Sequence, residues 1–268
     1  VVTMASMFDG AASFNGDISK WDVSKVENMD YMFWQASSFT HRLCEAHWII
    51  SKARKVEMFT GSPGSISKLA CTAAFASVAE LKTAIIACLK LSPKGDCPDG
   101  AVGKWDVSSV TEMCKIFDGA SSFNGDVSKW TVSSVISMNA MFEGATLFKG
   151  NLSKWDVSSV TDMSSMFRAA GAFNSDISKW HVSKVTTMAS MFHSATSFNG
   201  AISTWDVSSV TAMTSMFNSA TSFNGDVSKW NVSKVADMDG MFWQATAFKQ
   251  QLSRSPWINS KASKIDMF

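Results

Sequence analysis

The chain has 268 residues, with 24 basic and 23 acidic side chains and a formal net charge of +1. This balance gives no electrostatic basis for binding nucleic acid or an anionic membrane surface. No apolar run approaches the roughly 18 residues that a membrane-spanning helix needs. The sequence opens inside a repeat and without Met, so we expect a fragment, a processed product or a window of a longer chain, and an extracellular precursor is not excluded.

Residues 1–59 are interpreted as the end of a first repeat array. They match residues 210–268 without a gap at a constant offset of 209 residues. The matched aromatic pairs are Trp34 and Trp243, Phe39 and Phe248, Trp48 and Trp257, and Phe59 and Phe268. Both blocks depart from the repeat pattern at their ends. We interpret these ends, the second being residues 249–268, as C-terminal caps that close the exposed face of each array.

Residues 60–104 differ in composition, and we expect a linker followed by an N-terminal cap. The GSPGS sequence at residues 61–65 predicts a turn. Residues 77–91 predict an amphipathic helix, in which Ser77 and Glu80 form a capping box and Pro93 prevents continuation. The apolar stripe of this helix is expected to cover the open edge of the array that follows; it consists of Val78, Leu81, Ile85, Cys88 and Leu89.

The chain has five cysteines, at positions 44, 71, 88, 97 and 114. An odd count leaves at least one of them unpaired within the chain. Cys88 and Cys97 flank a predicted helix end and turn, and we favour a disulfide between them that stabilises the fold by about 2–3 kcal/mol. Two buried thiols are the alternative. The pairing of Cys44, Cys71 and Cys114 stays open.

Residues 105–248 hold one 25-residue sequence repeated six times. Each copy begins with a tryptophan: Trp105, Trp130, Trp155, Trp180, Trp205 and Trp230. A fixed period of this size is typical of a solenoid, in which each unit buries its apolar face against its neighbours. We therefore predict that the six tryptophans form a ladder in the core. The Met and Phe residues that recur at fixed repeat positions are predicted to form further core columns.

Within one copy, the apolar residues follow two patterns. Met163, Met166 and Phe167 have helical spacing and predict a helix of about two turns. Ile177 and Trp180 begin a β-favouring stretch that predicts one or two short strands. The predicted fold is an α/β solenoid with one short helix and short parallel strands per repeat, a helical N-terminal cap and atypical C-terminal caps. In four copies the core Phe is followed by Asn, at positions 124, 174, 199 and 224, and this Asn is expected to satisfy backbone groups in a tight turn and to bond along the stack.

Acidic residues alternate between two positions around the tryptophans. The two positions are the fourth residue before each tryptophan and the first residue after it. Paired in this order, they are Ala101/Asp106, Asp126/Thr131, Asn151/Asp156, Asp176/His181, Ala201/Asp206 and Asp226/Asn231. Each pair has one Asp, and its side changes from copy to copy. In a stack of equivalent positions, this alternation keeps carboxylates from lying directly above one another.

No motif predicts catalysis. The four histidines have no zinc spacing, and neither a G-x-S-x-G motif nor a phosphate-binding loop is present. Asp96–Gly100 favours a plain turn over a weak cation site. Asn151 and Asn231 each begin an N-x-S triplet and are therefore candidates for N-glycosylation. Such triplets also arise by chance in Ser-rich chains. We predict no enzyme activity and no cofactor or metal.

The pattern W-D-V-S-x-V-T-x-M-x-x-M-F-x-x-A-x-x-F-N-x-D-I-S-x-W resembles the bacterial-surface-protein repeat, also called the BspA-like or lipoprotein-associated repeat. Residues 105–248 match closely, residues 4–39 match as a partial array, and residues 76–103 are similar to the lead-in of protist members. The resemblance implies a right-handed, leucine-rich-repeat-like solenoid on a cell surface or in extracellular matrix. It implies no enzyme activity and carries over no functional residue.

Two functional hypotheses follow. The first is an extracellular structural protein, the repeating protomer of a filament or surface appendage, whose partner is itself through end-to-end or lateral assembly. The second is a surface adhesin or binding module that recognises other extracellular proteins or glycans on the face of the solenoid. One variable column available for such binding is Asp118, Glu143, Arg168, His193, Asn218 and Trp243. Its mixture of residue types is more typical of a solvated face than of a specific site.

Overall fold

A computed structural model describes residues 1–43, 46–66, 75, 77–96 and 102–268. The chain forms two compact units, Val1–Ala73 and Ala74–Phe268. Regular elements are few, and they lie outside the repeats of residues 105–248: strand β1 (Arg42–Leu43), helix α1 (Ala46–Ile50), strand β2 (Ser65–Ile66), helix α2 (Val78–Leu91), a 3₁₀ turn (Val102–Lys104) and helix α3 (Ser255–Ile258). In the first unit, β1 and β2 pair in parallel over two residues. The predicted division at residues 59, 104 and 248 stays a prediction.

Helix α2 lies where the sequence predicts a helix, and it packs on the repeats that follow. The Ser77 side chain accepts a hydrogen bond from the Glu80 N–H at 3.3 Å and so caps its first turn. Leu81, Ile85 and Cys88 are buried in the core of the second unit. The helix therefore extends the core of the repeats at their N-terminal side.

The prediction of an α/β solenoid is wrong, because the repeats contain neither the helix nor the strands. Only 9% of the residues are helical and 5% are in strand. Between Met163 and Ala170 the chain instead makes successive turns, with Ser165 and Ala169 in the left-handed region at φ values of 56° and 57°. The predicted leucine-rich-repeat-like coil, with a helix in each repeat, is therefore absent from residues 105–248.

The physical reason lies in the direction of the backbone N–H groups. The N–H groups of alternate residues in this segment donate to carbonyls of the next repeat, as in Ser165 to Ala189 at 2.8 Å and Phe167 to Met191 at 2.9 Å. A helix would direct the same groups along its own axis. The helix-like spacing of the apolar residues comes from turns, such as the one closed by the Met166 N–H and the Met163 carbonyl. These turns bury the residues that the helix was predicted to bury.

The predicted strands are reduced to isolated parallel bridges, one residue long, between consecutive repeats. One continuous series joins Glu112, Ser137, Asp162, Thr187, Ala212, Asp237 and Ser263. Turns such as Trp180 N–H to the Ile177 carbonyl and Val185 N–H to the Val182 carbonyl interrupt the segments where strands were expected. The bridges nevertheless fix the register, since equivalent residues of neighbouring repeats lie side by side.

The core of the second unit is one continuous stack of apolar side chains. Phe rings of consecutive repeats lie parallel in two series, with centroids 5.3–5.7 Å apart from Phe117 to Phe242 and 5.7–6.1 Å apart from Phe123 to Phe248. The Met column, such as Met163 and Met188, is fully buried. Burying each such side chain stabilises the fold by about 1.5–3 kcal/mol.

Candidate functional surface

The tryptophans form a hydrogen-bonded series along one side of this core. Each indole N–H donates to a backbone carbonyl 28 residues earlier in the chain, at 3.0–3.1 Å from Trp130 to Trp230. These five side chains are only 1–4% exposed. Trp105, at the start, is half-buried and packs against Phe75 with ring centroids 5.4 Å apart. Each buried indole thus joins two repeats and leaves no polar group unpaired.

Asparagine amides form a second series on the surface. The Asn199 N–H donates to the Asn174 side-chain oxygen at 3.0 Å, and the Asn224 N–H donates to that of Asn199 at 2.9 Å. This is the bonding along the stack that the sequence predicted. The series is interrupted at Lys149, which donates its N–H to Asn124 but has no amide oxygen for the next repeat.

The alternating acidic residues close tight turns. The Asp206 carboxylate accepts the Ser208 N–H at 3.0 Å, and the same contact recurs at each Asp of the two alternating positions. Side-chain and backbone hydrogen bonds from Ser208 lower the pKa of Asp206, with Lys234 lowering it further and burial opposing them. The predictions from the sequence did not include these serines, although the D-x-S spacing recurs at each of these turns.

The glycosylation candidates occupy the same turn positions. The Asn151 side chain accepts the Ser153 N–H at 3.0 Å, and the Asn231 side chain accepts the Ser233 N–H at 3.2 Å. Both asparagines are exposed. Each amide is thus accessible from solvent and is held by the Ser of its own triplet, and glycosylation of the two sites stays a prediction.

The variable column contains an ion pair between consecutive repeats. Arg168 Nη1 lies 3.0 Å from Glu143 Oε1. Burial lowers the pKa of His193 in the next repeat, the Arg168 charge lowers it further, and Glu143 opposes this. Because both groups are partly exposed, the ion pair contributes at most about 1 kcal/mol. Side chains 25 residues apart therefore interact, as the stacked register requires.

The C-terminal end of this column borders a shallow groove of about 330 Å³. It is lined by Asn218, Asp239, Trp243 and Asp266, with Ser215 and Ile265 among its other residues. Trp243 is 43% exposed, in contrast to the tryptophans of the core series. An exposed indole beside amide and carboxylate groups combines a flat apolar surface with hydrogen-bonding groups.

The cysteines are only partly described. Cys88 is disulfide-bonded, whereas Cys114 has a free thiol 3.1 Å from the Ser137 hydroxyl. Cys97, Cys44 and Cys71 lie outside the described residues, as does most of the Asp96–Gly100 turn. The specific pairing of Cys88 with Cys97 therefore stays a prediction.

Within the described ranges, no group of three or more His, Cys, Asp or Glu side chains could hold a metal ion. In the same part of the chain, no helix is long and apolar enough to cross a membrane.

The two array ends share two kinds of internal contact, although they belong to different units. The Trp48 indole N–H is shared between the Ile18 and Ser19 carbonyls at 3.3 and 3.1 Å, and that of Trp257 donates to the Val227 carbonyl, the equivalent of Ile18, at 3.1 Å. Trp48 and Ile18, like Trp257 and Val227, are 30 residues apart, two more than in the regular repeats. The Lys55 ammonium donates to the carbonyls of residues 51 and 53, as the Lys264 ammonium does to those of residues 260 and 262. The 209-residue recurrence thus repeats a folded terminal unit.

These features define a tandem-repeat protein, in which turn-rich units of 25 residues stack through backbone hydrogen bonds and aromatic series. The chain belongs to the family described as "Mycoplasma protein of unknown function, DUF285", whose model matches residues 1–69, 94–194 and 172–268. No curated protein and no solved structure matches the chain. The resemblance to the bacterial-surface-protein repeat stays a prediction.

Proposed function

We propose that the protein is a non-enzymatic structural protein outside the cell or on its surface, and that it is the repeating protomer of a filament or surface appendage. The observation that carries this proposal is the recurrence of one folded terminal unit after 209 residues. Trp48 and Trp257 each donate to the carbonyl 30 residues earlier, and helices α1 and α3 begin at equivalent positions. A chain that repeats whole arrays is suited to extension in one direction.

The stacked core supports a mechanical role. From Met113 to Met238, each repeat contributes Met, Phe and Trp side chains to one continuous buried stack. The backbone bonds between repeats have one prevailing direction, since four N–H groups of a repeat donate to the next one, as from Met213 to Ser219. Separating two repeats would break all these bonds and expose both faces of the core, which favours stiffness along the stack.

Negative-stain electron microscopy of the purified 268-residue chain over a concentration series tests the proposal. Regular fibres whose length increases with concentration are the expected result. A population that stays monomeric at every concentration contradicts it.

The alternative function is that of a surface adhesin or binding module for proteins or glycans. The groove at Trp243 favours it, because aromatic faces beside Asp and Asn side chains suit polar ligands with flat apolar patches. A glycan array probed with the wild type and with the Trp243→Ala variant tests this function. Binding that is lost in the variant supports it, whereas binding to none of the glycans, or binding unchanged by the substitution, counts against a glycan site at this groove.

A further inference from the structure

One aspartate occupies the same place in both copies of the 209-residue recurrence. In the first unit, Asp30 Oδ1 accepts the Val56 N–H at 2.8 Å. In the second unit, the equivalent Asp239 Oδ1 accepts the equivalent Ile265 N–H, also at 2.8 Å. The same carboxylate oxygen therefore holds the terminal repeat to the repeat before it in both units.

The second oxygen of this carboxylate has different neighbours in the two units. Asp30 Oδ2 forms an ion pair with the Arg54 guanidinium, and Asp30 is only 3% exposed. The residue equivalent to Arg54 is Ser263, whose hydroxyl donates to Asp239 Oδ1. Asp239 Oδ2 accepts no hydrogen bond from a described residue, and Asp239 is only half-buried. The second unit thus has the carboxylate without the guanidinium that neutralises its counterpart.

Asp239 lines the groove at Trp243 together with a second carboxylate and an indole. Asp266 is exposed, and it forms no ion pair with a described residue. Trp243 is 43% exposed. A guanidinium is planar, stacks on aromatic faces and donates several N–H groups to carboxylates. The groove therefore combines the two kinds of group that bind arginine side chains in proteins.

The combination of an indole and an acidic residue is particular to the array ends. In the five preceding repeats, the residues at the Trp243 position are Asp118, Glu143, Arg168, His193 and Asn218. Those at the Asp266 position are basic or small and neutral, namely Lys115, Ala140, Ser165, Ser190, Ser215 and Gly240. In the first unit, where the chain continues beyond the equivalent segment, Trp34 and Glu57 occupy the two positions, and Trp34 is 37% exposed. The exposed indole is thus a property of the array end itself.

We propose that the groove at Trp243 binds an arginine side chain of a partner protein. The guanidinium would pair with Asp239 as Arg54 pairs with Asp30. Asp266 would supply a second carboxylate, and the Trp243 indole would supply a stacking face. Charge complementarity selects this occupant, since the described residues that line the groove include two carboxylates and no basic side chain. This inference rests on the alternative function, that of a binding module, and names its ligand; it does not require filament formation.

Titration with a short peptide tests the site, because one arginine can be exchanged for a neutral residue of the same shape. The probe is a blocked tripeptide with arginine between two glycines, and its matched control has citrulline in place of arginine. Two-dimensional ¹H–¹⁵N NMR of the 268-residue chain at low ionic strength follows the indole N–H of Trp243, assigned with Trp243→Phe. The arginine peptide should shift this signal in a saturable manner. The citrulline peptide should bind at least about fivefold more weakly, because it has no charge for the carboxylates or the indole.

An exchange of residues between the units provides the first variant. Ser263→Arg gives Asp239 the internal partner that its counterpart has in the first unit, so it should weaken binding of the arginine peptide by roughly tenfold. Ser134→Arg is the control, since it adds the same side chain at an exposed position that does not line the groove. Equivalent positions of other repeats hold Lys184 and Lys234, so a long basic side chain suits this position. Circular dichroism melts of both variants show whether folding is retained.

The reverse exchange should create a second site. Arg54→Ser removes the internal partner of Asp30 in the first unit. The indole N–H signal of Trp34 should then shift with the arginine peptide, whereas in the wild type it should not. This gain of a site cannot arise from misfolding of the second unit.

The outcomes separate this inference from the proposed functions. Binding of the arginine peptide that is weaker with citrulline, weakened by Ser263→Arg and unchanged by Ser134→Arg supports the site. Equal binding of the two peptides, or binding that Ser263→Arg leaves unchanged, overturns it. No shift with the arginine peptide up to about 10 mM also overturns it. If a glycan then binds and is lost in Trp243→Ala, the alternative function stands with a different ligand, and the filament proposal is unaffected by either result.

Discussion

The indole N–H of Trp180 donates to the Leu152 carbonyl at 3.1 Å, 28 residues earlier in the chain. Trp180 is the first residue of its repeat, and Leu152 lies in the turn just before the tryptophan of the preceding repeat. This one bond therefore joins two consecutive tryptophan positions of the stack. Because Trp180 is 4% exposed, no water replaces the bond if it is lost.

Replacing Trp180 with Phe should destabilise the second unit. The Leu152 carbonyl would keep the Trp155 N–H but lose the indole, at a cost of about 0.5–1.5 kcal/mol, and the smaller ring would leave a cavity that adds to the loss. The free energy of unfolding from urea titration is the measurement. Trp243→Phe is the matched control, because Trp243 is 43% exposed and lies outside the series. Equal losses in the two variants would contradict the role assigned to the indole bond.

Completing the asparagine series should stabilise the protein. In Lys149→Asn, the new amide oxygen would face the Asn174 N–H, which lacks a partner in the described ranges. One added hydrogen bond is worth about 0.5–1.5 kcal/mol, so the melting temperature should rise by a few degrees. Lys154→Asn removes the same charge at an exposed position outside the series. If the melting temperature rises by the same amount in this control, the stabilisation comes from removing a positive charge and not from the added hydrogen bond.

Placing Asp at positions where the alternation has a neutral residue should destabilise the stack. In the combined variant Thr131→Asp and Asn231→Asp, each new carboxylate would lie next to those of neighbouring repeats, such as Asp156 and Asp206. The melting temperature should fall, and it should fall further at low salt. Thr131→Asn, which suits the turn without adding charge, is the control. A salt-independent melting temperature equal to that of the wild type would refute this reading of the alternation.

The acidic turns should make stability sensitive to low pH. Hydrogen bonds from serine lower the pKa of these aspartates, as for Asp156 and Asp226, below the ordinary value of 3.8. The unfolded chain then binds protons first, so stability is complete above about pH 4 and falls as the pH drops below it. Replacing all six aspartates with Asn should keep the turns, as Asn151 and Asn231 show, and flatten this decline. Unfolding free energies of both proteins between pH 7 and 3, measured by urea titration, provide the comparison, and parallel curves would contradict the assignment.

The sequence predicted which side chains of the repeat are buried but not the conformation of its backbone. Met163, Phe167 and Trp180 recur at fixed positions, and regular spacing alone places them in a common core. The same spacing fits a helix and a series of i to i+3 turns equally well, so it could not distinguish the two. The left-handed residues Ser165 and Ala169 carry no compositional signal for such a backbone.

A signal for that backbone does exist in other copies. Gly119 and Gly144 occupy the position of Ala169 with φ values of 70° and 69°. Glycine recurring at one repeat position favours a left-handed residue there and argues against a helix.

In-register stacking of the repeats is the central claim, and deletion of one repeat tests it most directly. Removing residues 155–179 takes out one 25-residue unit and should leave Trp180 directly above Trp130. Removing residues 155–178 instead should shift the later positions by one residue against the core. We expect the first variant to keep the near-ultraviolet circular dichroism of packed tryptophans and one cooperative melting transition, and the second to lose both. Equal behaviour of the two deletions, whether folded or unfolded, would contradict the stacked register.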